Sequence, residues 1–431
     1  MSISTSTVDL YRQFVNLSFV SGVEPLTVER ARGASLWDTE GREYIDCFAG
    51  IAVVNAGHCD PRIVKAAAEQ MAQLVHCGSY LYHVPVVGEL AAGLAAVAPG
   101  ELQKTFFCNS GAEAVEGALR LAKAFTGKTE FIALDTSFHG RTNATLAVTG
   151  NRKRKQRGGP YLGGVAFAPA PNPYRCRFCA GACSLACADA VQDVLDYQTS
   201  GNVAAFIAEP VLGEGGIIVP PDGYFRRVRS ILDQHQILFI ADEVQSGFGR
   251  TGKMFAIEHW GVEPDIMAMA KGIAAGFPLG GFIARSDVAD SFQPGEHLST
   301  FGGNPVACAA GLANLQVIQQ DELVTRSAEL GSWLLGNLRS LEARHNRIGD
   351  VRGLGLMTGL ELVSNAKAKT PDPRMAAAVK DECRARGILV GVGGFFGNVV
   401  RIQPPLTIDR RQLELVVETL DEALAAAASE S

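Results

Sequence analysis

The sequence has no apolar run of about 20 residues, so it offers no membrane-spanning helix. Its first residues lack a basic stretch followed by an apolar core, the pattern of a secretory leader. It also has no basic excess: 39 Lys and Arg face 45 Asp and Glu, a formal net charge of −6. That balance argues against nucleic acid as a partner. No internal repeat is apparent. The expectation is a cytoplasmic protein with neither nucleic-acid nor membrane partners. In that setting its ten cysteines read as thiols rather than disulfides. At 431 residues and 47% hydrophobic, the chain can bury a large core and is expected to split into one large and one or two smaller lobes.

One stretch carries the most chemistry. Ile237-Leu238-Phe239-Ile240-Ala241 is short, apolar and partly β-branched, and reads as a buried strand. Asp242 follows at once. In open α/β sheets ligands sit at the carboxyl ends of strands, so Asp242 stands where chemistry is expected. A second apolar run, Ile266 to Ala270, delivers Lys271 into a Gly-containing turn. An aspartate and a lysine at neighbouring strand ends suit pyridoxal 5'-phosphate (PLP). The lysine amine can condense with the aldehyde, and the aspartate can keep the pyridine nitrogen protonated, so that the ring takes up carbanion charge. The plainer alternative, a capping aspartate and a solvated lysine, stays equally open on these two residues alone.

Further motifs stand in order around this pair. They are Asn109-Ser110-Gly111-Ala112-Glu113-Ala114, Phe138-His139-Gly140-Arg141-Thr142, Asp242-Glu243-Val244-Gln245-Ser246-Gly247, Ala270-Lys271-Gly272 and Thr300-Phe301-Gly302-Gly303-Asn304-Pro305. Together they resemble the class III PLP-dependent aminotransferases over nearly the whole chain, and within that class most resemble the 4-aminobutyrate aminotransferase branch. The resemblance implies an α/β, type I PLP-transferase fold. It would have a mixed, mostly parallel seven-stranded sheet in a large domain and a small α+β C-terminal domain. The expected boundaries are 1–60 for an N-terminal segment packing with the small domain, 61–325 for the large domain, and 326–431 for the small one.

The residues give local reasons of their own. Pro61 to Leu74 and Pro85 to Val97 open with proline, which suits a first helical turn. Asn109 to Glu113 opens a helix, and backbone amides there make a phosphate cradle; the rival reading is an ordinary serine cap with Glu113 closing a capping box. Phe138 can stack on a pyridine ring, and Arg141 offers a planar fork for a carboxylate, against a core phenylalanine and a surface arginine. The run Arg152, Lys153, Arg154, Lys155, Arg157 reads as a solvated loop. His58 reads as a structural histidine with no evident partner. Cys176, Cys179, Cys183 and Cys187 lie in a Cys-rich insertion, 170–190. Their spacing is open to zinc or an iron–sulfur cluster, with packed free thiols the favoured reading.

By resemblance, Ser110, Gly111 and Ala112 bind the cofactor phosphate, with Thr300 reaching the cofactor of the other subunit. That makes the protein a homodimer with shared active sites, and pairing of dimers into tetramers stays open. Phe138 and Val244 sandwich the ring, Gln245 bonds its hydroxyl, and His139 and Glu209 stand beside it. Ile51 lines the substrate entrance and Arg141 holds a distal carboxylate. Glu214 pairs with Arg401, and releases it when a substrate brings an α-carboxylate. The expected reaction moves the terminal amino group of an ω-amino acid, with 4-aminobutyrate first in view, to 2-oxoglutarate. Rivals are acetylornithine or another class III donor, a PLP racemase, decarboxylase or lyase, and a redox role centred on the cysteines.

Overall fold

The computed structural model describes residues 6–17, 23–179 and 182–429. Its centre is a seven-stranded sheet. In spatial order the strands are Leu102–Cys108, Gly280–Arg285, Ile266–Met269, Leu238–Asp242, Val203–Ala208, Glu130–Leu134 and Val165–Ala168. Gly280–Arg285 pairs antiparallel with both neighbours, and the remaining pairs are parallel. The three middle strands are buried along their whole length, as expected of parallel strands covered by helices on both faces. This is why they read as apolar runs rather than alternating ones.

Helices start where the sequence offers caps. Ser110 caps Gly111–Thr126, and Gly127, at φ 69°, ends it, because a left-handed terminal residue suits glycine. Prolines open Pro61–Gln73, Pro85–Val97 and Pro305–Gln320, and the last of these packs against the other two. Among the described residues no helix is long and apolar enough to cross a membrane.

The C-terminal part forms an antiparallel sheet of Ile348–Leu354, Met357–Asn365, Val399–Ile402 and Gly391–Gly393. Leu323–Arg344, Pro373–Ala385 and Arg410–Ser429 are helices packed on it or on one another. The N-terminal meander Val28–Arg32, Ser35–Asp38, Glu43–Asp46 gains a fourth strand from Ile388–Leu389.

Several expectations shift. Helix Leu323–Arg344 follows Pro305–Gln320 almost at once, because the chain reverses at Glu322 with φ 50°. Strand Val165–Ala168 and helix Tyr224–Gln234 were not anticipated. His58 does have a partner: its Nε2 lies 2.8 Å from Asp46 Oδ2, brought close where the chain pairs Gly33 with His58.

Candidate active site

Strand Leu238–Asp242 ends on Asp242, and the adjacent strand Ile266–Met269 runs through Ala270 into Lys271. Parallel pairing puts both carboxyl ends on the same edge of the sheet. Here a cavity of about 530 Å³ is lined by Ser110, Gly111, Ala112, Phe138, His139, Arg141, Glu209, Asp242, Val244, Gln245 and Lys271, among others. A cleft of about 700 Å³ lies elsewhere, around Arg226, Arg229 and Arg285. Arg229 and Arg285 there are paired with Asp265, and the cleft has none of the strand-end groups.

Lys271 sits at φ 46°, in the left-handed region, a cost that side chains other than glycine bear mainly at functional sites. Its amine makes no hydrogen bond among the described residues. Burial pushes its ammonium below the ordinary lysine value. Glu214, Asp242 and Glu209 oppose that shift, and Arg401 adds to it. A lowered value leaves more neutral amine, the form that acts as nucleophile or base.

Three carboxylates therefore face one lysine, each held differently. Asp242 Oδ2 lies 2.7 Å from His139 Nδ1, and Oδ1 accepts the Val244 amide at 3.0 Å. A carboxylate acceptor makes Nδ1 the protonated nitrogen of that histidine. Glu209 accepts the amides of Phe138 and Gly213, both at 2.9 Å. Burial raises the Glu209 carboxyl to about 7; His139 and the two amides pull it down, while Asp242 pushes it up. Glu214 takes Arg401 Nη1 on Oε1 at 2.6 Å and Arg154 Nη2 on Oε2 at 3.3 Å. Burial alone would raise its carboxyl, but Arg401, Lys271 and Arg154 bring it below the ordinary value. Arg401 is buried, lies 5.1 Å from the Phe48 ring centre, and leaves its Nε without a partner.

The helix start supplies both readings of Ser110. Its hydroxyl oxygen accepts the Glu113 amide at 3.2 Å, and Glu113 Oε2 accepts the Asn109 amide at 2.8 Å. Gly111 and Ala112 meanwhile line the cavity. A Cβ built on Gly111 would lie 2.8 Å from Val244 Cγ1, so only glycine lets the backbone come this close. Gln245 is buried, and its Oε1 accepts Gln403 Nε2 at 3.2 Å. Arg141 is exposed at the cavity and makes no ion pair among the described residues.

Four expected residues, Ile51, Thr300, Glu214 and Arg401, are not among the residues lining this cavity within one chain; Glu214 and Arg401 stand beside it, close enough to act on the Lys271 charge. Ile51 is 42% exposed at φ 70°; Val53, from the same turn, lines the cavity instead. Thr300 is exposed in a bend. Conversely, Arg154 corrects the solvated-loop reading of the basic run, since it reaches Glu214. Its signal was absent locally, because its partner lies 60 positions away.

Among the described residues no group of three or more His, Cys, Asp or Glu is placed to hold a metal ion. Cys187 is buried, Cys176 and Cys179 are half-buried and Cys183 is exposed, all as thiols. Cys179 Sγ lies 3.3 Å from Ser184 Oγ. Ala180 and Gly181, within the insertion, lie outside the described residues.

The residues fit PLP. A glycine-bared helix start offers free amides to a phosphate, Asp242 offers a carboxylate to a pyridine nitrogen, and Lys271 offers an amine with no hydrogen-bond partner among the described residues. The class-III aminotransferase family profile matches residues 19–424. Acetylornithine aminotransferase of Methanothermobacter thermautotrophicus is 40% identical over 421 residues, covering 98% of this chain and 99% of that protein. The 4-aminobutyrate aminotransferase of Escherichia coli K12 is 38% identical, covering 94% and 95%. A crystal structure of a Bacillus anthracis aminotransferase superposes with TM-score 0.90 at 33% identity, covering 96% and 97%. The chain belongs to the class III aminotransferases, and it is a PLP-dependent enzyme.

Proposed function

We propose that this enzyme moves the terminal amino group of an ω-amino acid, 4-aminobutyrate in the first instance, to 2-oxoglutarate, giving a semialdehyde and glutamate. The observation that carries this reading is the buried Glu214–Arg401 pair at 2.6 Å, close enough to act on the Lys271 charge, with Arg141 at the cavity that Lys271 lines and in no ion pair among the described residues. A donor with only a distal carboxylate needs one free arginine and meets Arg141. A dicarboxylate acceptor needs two, and gains the second when Glu214 leaves Arg401. An arginine left unpaired in a buried place is costly, so the pair stays closed until an α-carboxylate replaces Glu214.

PLP, when bound, supplies the electron sink that stabilises negative charge on the substrate carbon. In this reading Asp242 holds the pyridine nitrogen protonated, and His139 fixes the Asp242 carboxylate. The amides of Gly111 and Ala112 and the Ser110 hydroxyl hold the phosphate. Phe138 and Val244 flank the ring, and Gln245 donates to its hydroxyl. Lys271 would take the proton from the amine-bearing carbon as base and deliver it as acid to the aldehyde-derived carbon of the cofactor, so that the amino group stays with the cofactor when the semialdehyde leaves.

We further propose a homodimer in which Thr300 serves the partner's cofactor and Ile51 lines the entrance. Leu298, Phe301, Leu81 and Tyr82 are 64%, 62%, 75% and 64% exposed. The two segments touch through the His76 and Phe301 rings and the Ser79–Gly303 hydrogen bond. An exposed apolar patch of this kind suits a protein interface. The division at about 60 and 325 belongs to the same proposal; Gln403 and Leu406 bonding back to Cys47 and Asn55 support the N-terminal segment packing with the small domain.

A second donor, acetylornithine, is favoured by the 40% identity to the Methanothermobacter enzyme, and Arg141 and Arg401 suit its carboxylate too. The test is one half-reaction. Purified yellow enzyme is mixed with 4-aminobutyrate alone, then with acetylornithine alone, and the visible spectrum is followed. Bleaching by 4-aminobutyrate, reversed by 2-oxoglutarate, supports the first reading. Bleaching by acetylornithine alone transfers the function to that donor, and bleaching by neither sinks both.

A further inference from the structure

We infer that Arg154 is a positioning residue for dicarboxylate substrates: it is the anchor to which Glu214 turns when a substrate α-carboxylate takes Arg401. The inference rests on the two-carboxylate reading above, though not on the identity of the amino donor.

The two oxygens of Glu214 are divided between two arginines on different parts of the chain. Arg401 comes from strand Val399–Ile402 and is buried. Arg154 comes from the short helical turn Arg152–Lys155 and its side chain is 49% exposed. That turn is held against the protein by aromatic rings. The Arg154 guanidinium lies 5.5 Å from the Phe138 ring centre, Arg152 lies 5.9 Å from Phe395, and Lys155 Nζ lies 4.4 Å from Phe167. Cations over aromatic faces are attracted to them, so the basic run is fastened beside the site and not merely solvated.

Charge then decides what Arg154 does. Arg141, Arg154 and Arg401 against Glu214 leave a surplus of two positive charges, which a dicarboxylate cancels. When the α-carboxylate displaces Glu214 from its 2.6 Å bond to Arg401, Glu214 still lies in a largely buried place. A buried carboxylate without a partner is strongly disfavoured. Arg154 already touches its other oxygen, so Glu214 closes that 3.3 Å contact and stays paired. Without Arg154, Glu214 has Arg401 alone and competes with the substrate for it.

The test uses R154Q, R154K, E214Q and the double variant R154Q/E214Q as PLP-loaded enzymes. Two readouts are taken. The first is the half-saturating concentration and limiting rate for 2-oxoglutarate and for L-glutamate in their own half-reactions. The second is the dissociation constant of glutarate, a dicarboxylate that cannot react, by calorimetry. R154Q is expected to raise half-saturation and weaken glutarate about tenfold, with a much smaller change in limiting rate. R154K is expected to restore most of the loss. In the E214Q background R154Q is expected to add nothing, because there is no carboxylate left to anchor. An unchanged glutarate constant, a loss confined to the limiting rate, or an R154Q effect that persists with E214Q overturns the inference, as does an enzyme that binds no dicarboxylate. None of these readouts involves the ω-amino donor, so failure of 4-aminobutyrate as substrate leaves the test intact.

Discussion

Replacing Asp242 by asparagine separates charge from shape at the centre of the site. The amide keeps an acceptor for His139 Nδ1, now 2.7 Å away, or for the Val244 amide at 3.0 Å, but not good geometry for both. Its local structural cost is the difference between a charged and a neutral hydrogen bond, about 1 kcal/mol. The catalytic cost is larger if Asp242 holds the pyridinium. Opposite charges in close contact at an effective dielectric near 20 interact by about 4 kcal/mol, and about 1.4 kcal/mol is tenfold. D242N is therefore expected to slow both half-reactions by about 10³, while melting within a few degrees of the parent. Asp242 also supports the charged form of Lys271 and raises the Glu209 carboxyl; its neutralisation lowers the Lys271 value further and brings the Glu209 value back toward the ordinary one. Stopped-flow absorbance with donor alone, and then with 2-oxoglutarate alone, measures the rates. A loss below about tenfold in both would mean that Asp242 only holds His139 and the 242–244 turn, and the electron-sink assignment would fall.

Borohydride reduction of the holoenzyme followed by proteolysis should leave the cofactor on the peptide containing Lys271; K271A should carry none, and should lose at least about 10³ in each half-reaction. Label found on any other lysine refutes the assignment. R141Q removes a fork that makes no ion pair among the described residues, so stability should hold while the KM for 4-aminobutyrate rises about 10- to 100-fold, the worth of a charged hydrogen bond; an unchanged KM would move the distal carboxylate elsewhere. Stability should also depend on pH through Glu209 and Glu243, each raised by burial to about 7. With the folded value above the unfolded one, the folded state binds more protons in between. Stability is then greatest below the unfolded value near 4.5 and declines as pH rises to about 7, by roughly 3 kcal/mol per group. Melting of the cofactor-free protein from pH 5 to 8 checks this, and a rising Tm contradicts it.

The strand ends were legible because burial on both faces leaves an uninterrupted apolar run, and a charge directly after such a run has few other places to be. That ground placed Asp242 and Lys271 at strand ends, and the surrounding motifs were needed to choose a cofactor site over a capping aspartate and a solvated lysine. Helix Tyr224–Gln234 was also legible and was missed. Tyr224, Phe225, Val228, Ile231 and Leu232 repeat at helical spacing and all are buried, beneath arginines that suggest a surface loop. Strand Val165–Ala168 is four residues between Gly164 and Pro169, too short for period alone to separate from a turn. Arg154 was out of reach for a different reason. A run of cations looks the same whether solvent or aromatic faces receive it, and only the fold brings Phe138, Phe167 and Phe395 beneath the turn. The same limit hid the network in which Glu361 pairs with Arg175 and Arg352, while Arg352 donates to the Gly216 carbonyl. Its members are spread over nearly 190 positions.

What each of the three carboxylates around Lys271 can do follows from what holds it. Glu209 is bonded by two backbone amides, which move only if the chain moves. Asp242 is bonded by one amide and by a histidine whose side chain is fully buried, so its position is nearly as fixed. Glu214 is bonded by side chains only, two arginines from separate segments. A carboxylate held by flexible cations can exchange partners by rotation about its own bonds, keeping one charge-assisted bond throughout. The loop that carries it is steadied independently, through Arg352 on the Gly216 carbonyl at 2.7 and 3.0 Å. Rigid backbone with a carboxylate held by side chains is the arrangement a two-state pocket needs, and of the three only Glu214 has it. Substituting Arg352 by glutamine should accordingly loosen both states together, lowering the Tm and weakening glutarate and 4-aminobutyrate alike. A selective effect on one of the two ligands would show that the loop, and not the side chain, is the moving part.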